Sequence, residues 1–387
     1  MISTAAVVGT GLIGTSVALA LAAKGVRVHL LDLDESAART AASLGAGTVG
    51  RPAAPVDIAL LAVPPGSVGE VLAVQQSKGL AHSYMDVASV KSGPVGDVAA
   101  LGDPASYIGG HPMAGRELSG PLAATAALFE GRSWVLTPTP DTTTQTLNRA
   151  LEVIALCGAV PVVMDGEAHD RAVALVSHTP HVVAALMAAR LQHMPDDATR
   201  LAGQGLRDVI RIAGGDPNLW GDILDANAAA VADVLAELAD DLSVAVTALR
   251  GLATDSTDVR AEGMMHVADL LSRGCEGRKR IPTKHGAPLR GGALVRVLIG
   301  DQPGELASLL ATVADLGINV EEVTIDHSPE DRSGLVELLV DTGSTVRMEQ
   351  RLIEYGWRVQ QGSAPAPQGR PAPAGRLLAE AAPAATA

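Results

Sequence analysis

Over the first 166 residues, short apolar runs alternate with longer stretches of helical spacing. Residues 5–8, 26–31, 58–63, 84–87 and 134–137 read as strands, with 160–164 as one more at the edge. Apolar runs without polar alternation, separated by helices, predict a parallel sheet buried on both faces. Beyond residue 167 the strand signal stops. Ala/Leu/Val-rich segments at helical spacing follow at 168–193, 199–213, 219–251 and 256–273. A single helix over 219–251 would span about 50 Å. It is too apolar to be solvated on every side, so a second subunit is expected to cover it. Residues 276–292 lie in a run rich in Gly, Pro and basic residues and read as a linker. Between 293 and 362 the pattern changes again: strand 293–300, helix 305–316, strands 318–326 and 335–341, helix 345–355, strand 357–360. That order, βαββαβ, predicts a ferredoxin-like α+β unit. The Pro/Ala-rich stretch 363–387 cannot bury a core and is expected to be disordered.

Composition narrows the function classes. The 387 residues carry a net charge of −14 and only three Trp, three Tyr and one Phe. Such a chain repels nucleic acid and anionic membranes on average and has few rings to stack on bases. Its two cysteines, Cys157 and Cys275, form no CxxC pair, which excludes a disulfide framework and fits the cytoplasm. The uncharged segment 1–23 resembles a signal peptide in composition. It has no basic start and is broken by glycines, so it reads as a buried strand and helix.

Those glycines form the sharpest local signal, Gly9-Thr10-Gly11-Leu12-Ile13-Gly14 after the first strand. Gly9 suits the tight turn, Gly11 lets a pyrophosphate approach the backbone, and Gly14 lets helix and strand pack closely. Leu12 and Ile13 open the helix, whose free N–H groups and dipole favour phosphate. Asp32 follows the second strand, 18 residues after Gly14. A carboxylate there binds ribose hydroxyls and repels a 2′-phosphate, so NAD is the expected cofactor. Together these residues make 1–166 a Rossmann domain. Val63 and Pro64, ending a later strand, are candidates for packing against the cofactor.

Three segments supply polar groups that a sheet and helices do not need: Asp86–Ser92, Gly109–Glu117 and Ser177–His181. His111 suits general-base chemistry near neutral pH. His178 and His181 lie three apart on one helical face, without the partners a metal site requires, so no metal is expected. Arg211 offers a planar fork for a carboxylate.

Taken in order along the chain, these segments resemble the prephenate and arogenate dehydrogenases of tyrosine biosynthesis. The resemblance covers about residues 1–290 and rests on GTGLIGTSVALAL, DVASVKS, GGHPMAGRE with Ser119-Gly120, SHTPH and LRDVIRIAGGDPNLW. It implies NAD-dependent oxidative decarboxylation of prephenate. It also implies that His111 acts as base and Ser89 supports it, while His178 and His181 line the pocket. In the same way Arg211 binds a substrate carboxylate, and Glu117 and Trp220 shape or gate the entrance. Arg116 departs from the small hydroxylated residue usual in the family. The all-α unit 167–275 is then a substrate and dimerisation domain, giving a homodimer.

Gly300–Ala307 (GDQPGELA) resembles the first turn of ACT domains, which implies regulation by a small amino acid, with tyrosine as first candidate. Three alternatives remain open. Arogenate could replace prephenate. A β-hydroxyacid-type dehydrogenase would need a catalytic lysine in its helical domain, and 167–272 contains none. A non-catalytic sensor of NAD and an amino acid would not need His111.

Overall fold

The computed structural model describes residues 1–115, 119–195, 199, 201–281, 292–300, 302–327 and 333–360. Met1–Val246 form one compact unit, and a second begins at Thr247.

In the first unit, β1 (Thr4–Val8), α1 (Leu12–Ala23), β2 (Arg27–Leu31), α2 (Glu35–Ser43) and β3 (Thr48–Val49) come first. β4 (Ile58–Leu61), α3 (Val68–Ser77), β5 (Tyr84–Asp86), α4 (Ser92–Leu101) and β6 (Tyr107–Pro112) follow. β7 (Ser133–Thr137), α5 (Thr144–Leu156) and β8 (Val160–Val163) complete an eight-stranded sheet, ordered β3-β2-β1-β4-β5-β6-β7-β8. Its first six strands have the 3-2-1-4-5-6 order of a Rossmann sheet.

Alternate residues of each strand enter opposite layers, as the pleat requires. Val7, Leu30 and Leu60 pack with Val17 and Leu21 of α1 and with Val153 of α5. Ala6, Ala59 and Leu61 pack with Val68 and Leu72 of α3 and with Val98 of α4. The apolar runs thus lack alternation because both faces are covered. Helix α1 buries Thr15 and Ser16 at no loss of hydrogen bonding. Thr15 Oγ1 donates to Thr10 O (2.9 Å), and Ser16 Oγ accepts from Thr125 N (3.1 Å).

The sheet departs from a purely parallel one because β6 and β7 are antiparallel, so it is mixed. β6 is itself an element that the pattern does not predict. Gly109, Gly110 and Pro112 hide it, because they carry no strand propensity. The small residues are required by the neighbours. A Cβ on Gly109 would strike Thr137 Oγ1, and one on Gly110 would lie 2.7 Å from Asp86 O.

The helical half opens with α6 (Gly166–Val173), a π-helical turn (Ala174–His178) and α7 (Thr179–Arg190). The helix 166–193 is apolar and long enough to cross a membrane by those criteria alone. Its buried His169, Asp170 and His178, however, are hydrogen-bonded to other parts of the unit. α8 (Gln204–Arg211), α9 (Pro217–Ala226) and α10 (Ala228–Leu252) follow. The single helix expected over 219–251 is therefore two, broken at Asn227 (φ −126°, ψ 26°), for a reason given below. α9 packs against the 3₁₀ turn Pro65–Ser67 beyond β4.

From Thr247 onward, α11 (Thr257–Lys279) runs through residues expected to begin the linker. Its Glu276–Lys279 pair (2.7 Å) and exposed basic last turn suit a helix C-terminus. The remaining linker residues 282–291 and the stretch 361–387 lie outside the described residues. β9 (Gly292–Gly300), α12 (Glu305–Asp315), β10 (Val320–His327), β11 (Ser333–Asp341), α13 (Thr342–Glu354) and β12 (Arg358–Gln360) give the expected βαββαβ order. The antiparallel sheet is ordered β10-β11-β9-β12. Val295, Val297, Val336 and Leu338 face Leu309, Val313, Met348 and Leu352 of the helices.

Two glycines of the first turn test this packing. A Cβ on Gly14 would collide with Gly9 O, whereas one on Gly11 meets no atom within 4 Å. Gly14→Ala is expected to cost about 1–3 kcal/mol through overpacking. Gly11→Ala should cost under about 1 kcal/mol, the scale of a helix cap. Urea midpoints of the two variants measure the difference.

Candidate active site

The parallel strands β1, β2, β4, β5 and β6 end at one edge of the sheet. The segments beyond them carry Gly9–Gly14, Asp32, Val63 and Pro64, and Ser89, while His111 stands near the end of β6. In open α/β sheets this is the edge where ligands bind.

The nucleotide motif has the form its chemistry requires. Gly9 adopts φ +95° and lies so close to Ala62 that no side chain fits. Gly11, the N-cap of α1, has no side-chain cap and is exposed, leaving open space where a Cβ would point. Leu12 and Ile13 follow it, half-buried, with their backbone at the helix N-terminus. Asp32 is held as a carboxylate acceptor. Its Oδ2 takes Thr10 N (2.6 Å) and Thr10 Oγ1 (2.7 Å), and its Oδ1 takes Asp34 N (2.9 Å). Val63 is half-buried and Pro64 exposed beside the turn that α9 touches. An uncapped helix end, an open glycine and a fixed carboxylate together fit a dinucleotide without a 2′-phosphate.

Behind His111 lies a buried charge cluster. Lys91 is wholly buried, and its Nζ donates to Asp86 Oδ1 and to Gly110 O (2.6 Å). Asp86 also accepts Ala88 N (2.8 Å) and Tyr107 OH (2.6 Å). Burial pulls the Lys91 ammonium below its usual range, against the pull of Asp86 and Asp170. Burial and then Asp86 push the Tyr107 phenol well up, so it stays a donor. Each charge has partners, as a buried pair requires.

Among the described residues His111 and Ser89 share no hydrogen bond. Ser89 is half-buried on the loop after β5, and no hydrogen bond of its hydroxyl occurs among the described residues. The partner of His111 is His169: Nδ1 lies 2.8 Å from His169 Nε2, with the rings edge to face. His169 Nδ1 in turn lies 2.8 Å from Asp170 Oδ1. The Asp170 carboxylate caps α4 from another helix, taking Lys91 N (2.8 Å) and Ser92 N (2.7 Å). Burial works to raise its pKa, but His169, Ser92 and Lys91 hold the carboxyl below the ordinary range. On the other side, Asn227 Nδ2 lies 2.9 Å from Asp170 O and 3.1 Å from His178 Nδ1. Asn227 breaks the expected long helix because its side chain is needed at this junction.

His169, Asp170 and Asn227 are absent from the sequence-based candidates, and Lys91 enters them only within the segment Asp86–Ser92. The adjacent His-Asp pair eight residues before SHTPH, and one Asn inside an Ala-rich helix, were the signals available. His181 is stacked on Trp220 (centroids 3.6 Å apart, planes 8° apart), and His178 meets the same ring edge-on. Trp220 thus packs against both histidines. Arg211 is exposed at the C-terminal end of α8 and has a polar partner. Glu117 lies outside the described residues.

The histidines respond to these surroundings. Burial first, then Lys91, His169 and His178, pull His111 well below its ordinary 6.5, with Asp170 opposing. Burial lowers His178 from 6.5 to about 4. An unfolded chain takes up these protons below about pH 6.5, while the folded chain resists. The stability they contribute is therefore complete above pH 6.5 and is lost as pH falls towards 4. Urea midpoints are expected to fall across that window, and His178→Gln should make the fall shallower.

A model of the prephenate dehydrogenase nucleotide-binding domain matches residues 17–163, and one of the prephenate dehydrogenase dimerization domain matches 165–264. The chain is 41% identical over 357 residues to the protein named "Probable prephenate dehydrogenase NovF" of Streptomyces niveus, spanning 92% of this chain and 98% of that one. The crystal structure of Aquifex aeolicus prephenate dehydrogenase with hydroxyphenyl propionate and NAD⁺ is similar at TM-score 0.61 and 28% identity. That match covers 71% of this chain and 98% of the other. Synechocystis arogenate dehydrogenase is similar at TM-score 0.56 and 26% identity, covering 70% and 99%. With nucleotide motif, histidine cluster and helical half all in place, the chain belongs to the prephenate dehydrogenase family of oxidoreductases.

Proposed function

We propose that this enzyme catalyses NAD-dependent oxidative decarboxylation of prephenate to 4-hydroxyphenylpyruvate in the cytoplasm. The observation that carries the reading is His111. It stands at the ligand edge of the sheet with Nδ1 engaged by His169, which leaves Nε2 for a substrate hydroxyl. Its basicity is held low, so the ring is neutral and ready to accept a proton near pH 7.

Gly9–Gly14 would hold the pyrophosphate of NAD and Asp32 its ribose, and the bound nicotinamide would accept the hydride. His111 Nε2 takes the hydroxyl proton as the ring carbon becomes a ketone. Loss of the ring carboxylate then follows readily, because it yields an aromatic ring. Ser89, on the loop after β5, is assigned to support His111 and to reach towards the nicotinamide. His178, His181 and Trp220 form a wall of the pocket, Arg211 suits a substrate carboxylate, and Glu117 is assigned to the entrance.

Relatives named as prephenate dehydrogenases support prephenate as substrate, and the similarity to Synechocystis arogenate dehydrogenase keeps arogenate as a second one. A homodimer is supported by the dimerization-domain match and by exposed apolar residues on α10, among them Leu238, Leu242 and Val244. The βαββαβ unit with Gly304 at φ +95° before α12 is consistent with an ACT domain binding tyrosine. Two free cysteines suit a reducing compartment.

NADH formation at 340 nm with prephenate and then arogenate, each with and without tyrosine, tests the reading. Turnover of prephenate, suppressed by tyrosine, is expected. Turnover of arogenate alone would move the substrate, and turnover of neither would overturn the proposal. His111→Asn should lower kcat by about 10²–10⁴ while NAD still binds. Asp32→Ala should weaken NAD binding and relax discrimination against NADP.

A further inference from the structure

Two histidines approach this site from different elements, and both are tied to Asp170. The His169 ring contacts its carboxylate, and the Asn227 amide contacts its main-chain carbonyl. We propose that Asp170 holds His111 and His178 in opposite tautomers, through His169 and Asn227, so that one ring offers the site a lone pair and the other an N–H.

The His111 arm follows from what each atom can donate. The Asp170 carboxylate already accepts Lys91 N and Ser92 N at the N-terminus of α4, so it is an acceptor only. The nitrogen of His169 facing it at 2.8 Å, Nδ1, therefore carries the proton. A ring with a single N–H, placed on Nδ1, leaves its Nε2 as an acceptor. His111 Nδ1, 2.8 Å away, must donate to it, and the lone pair of His111 then lies on Nε2.

The His178 arm runs the other way. The Asn227 atom 2.9 Å from Asp170 O faces a carbonyl oxygen, and only the amide nitrogen is tolerated there. That nitrogen has two protons. One goes to Asp170 O, and the other points to His178 Nδ1 at 3.1 Å. His178 Nδ1 is thus an acceptor, and its proton resides on Nε2. Burial keeps the ring neutral, so it presents this N–H without a charge. The π-helical turn Ala174–His178 makes the shared partner possible. Residues seven apart share a face of an α-helix, and one inserted residue moves that match to eight apart, which is the separation of Asp170 and His178.

The consequence deepens the proposed function and rests on it for the identity of the ligand. The group meeting His111 must be a donor, as a ring hydroxyl is. The group meeting His178 must be an acceptor, a carbonyl or carboxylate oxygen. Asp170, His169 and Asn227 are positioning residues that act through the two rings.

The experiment is long-range ¹H–¹⁵N NMR of the whole enzyme with ¹⁵N-labelled histidine at pH 8, without substrate. Spectra of His111→Asn and His178→Gln assign the two rings. The wild type is expected to show His111 protonated on Nδ1 and His178 protonated on Nε2. Asn227→Ala should abolish the single tautomer of His178 and leave that of His111. Asn227→Asp, which replaces the donor by an acceptor, should move the His178 proton to Nδ1. His169→Phe should release His111 alone. His111 protonated on Nε2, His178 protonated on Nδ1, or an Asn227→Asp spectrum identical to wild type would each overturn the proposal. These spectra need no turnover, so they stand whether or not prephenate proves to be the substrate. With prephenate, Asn227→Ala is expected to raise KM about fivefold to tenfold, the scale of one hydrogen bond, and to raise KM by a larger factor than it lowers kcat. The reverse split would overturn the acceptor contact assigned to His178.

Discussion

The carboxylate of Asp170 bridges the sheet and the helices of the first unit. It lies at the N-terminus of α4, where two successive backbone N–H groups and the helix dipole favour a negative charge. A carboxylate buried without such donors would be driven to neutralise. Here it stays ionised because Lys91 N, Ser92 N and His169 all point at it. The same contact fixes the backbone of Lys91, whose side chain runs under β6 to Asp86 and Gly110 O. One side chain of the helical half thereby sets the loop after β5, the strand carrying His111 and the ring against which His111 rests.

That arrangement separates fixed charge from reactive groups. Lys91 and Asp86 are buried as an ion pair, Asp170 is held by two backbone N–H groups and His169, and burial keeps His111 and His178 neutral. Burial is the largest cause of the low basicity of His111, with the Lys91 ammonium next in weight. Asp170 works against both. Donors and acceptors fixed before a ligand arrives need no reorganisation during reaction, which is where oriented dipoles contribute most.

Much of this was legible in the sequence, for reasons that differ by element. The buried strands announced themselves because both faces are covered and polar residues are excluded. Gly9, Gly11, Gly14 and Asp32 were legible because each meets a separate backbone or charge requirement within one short segment. β6 was not, since its glycines answer to Asp86, Thr137 and Lys91, which are remote in the chain. The break at Asn227 was hidden for the same reason: an Ala-rich surround favours helix, and only Asp170 O and His178, 57 and 49 residues away, show why the helix stops. His169, which lies against His111, was not singled out for the same reason, since its partner is 58 residues away. Local pattern reads local constraint, and these residues satisfy distant ones.

The remaining step concerns helical register. Over 166–178 the hydrophobic pattern is continuous and gives no sign of an irregularity. At about 100° per residue, an unbroken α-helix would place His178 some 80° around the axis from Asp170. The π-helical turn absorbs one residue and brings the two within about 20°. A π-turn weakens backbone hydrogen bonding, so it persists only where the surroundings compensate for it. The compensation here is visible in Asn227, whose amide takes the Asp170 carbonyl and His178 Nδ1 together. The irregular turn and the broken helix thus meet at Asn227, whose amide joins the Asp170 carbonyl to His178 Nδ1.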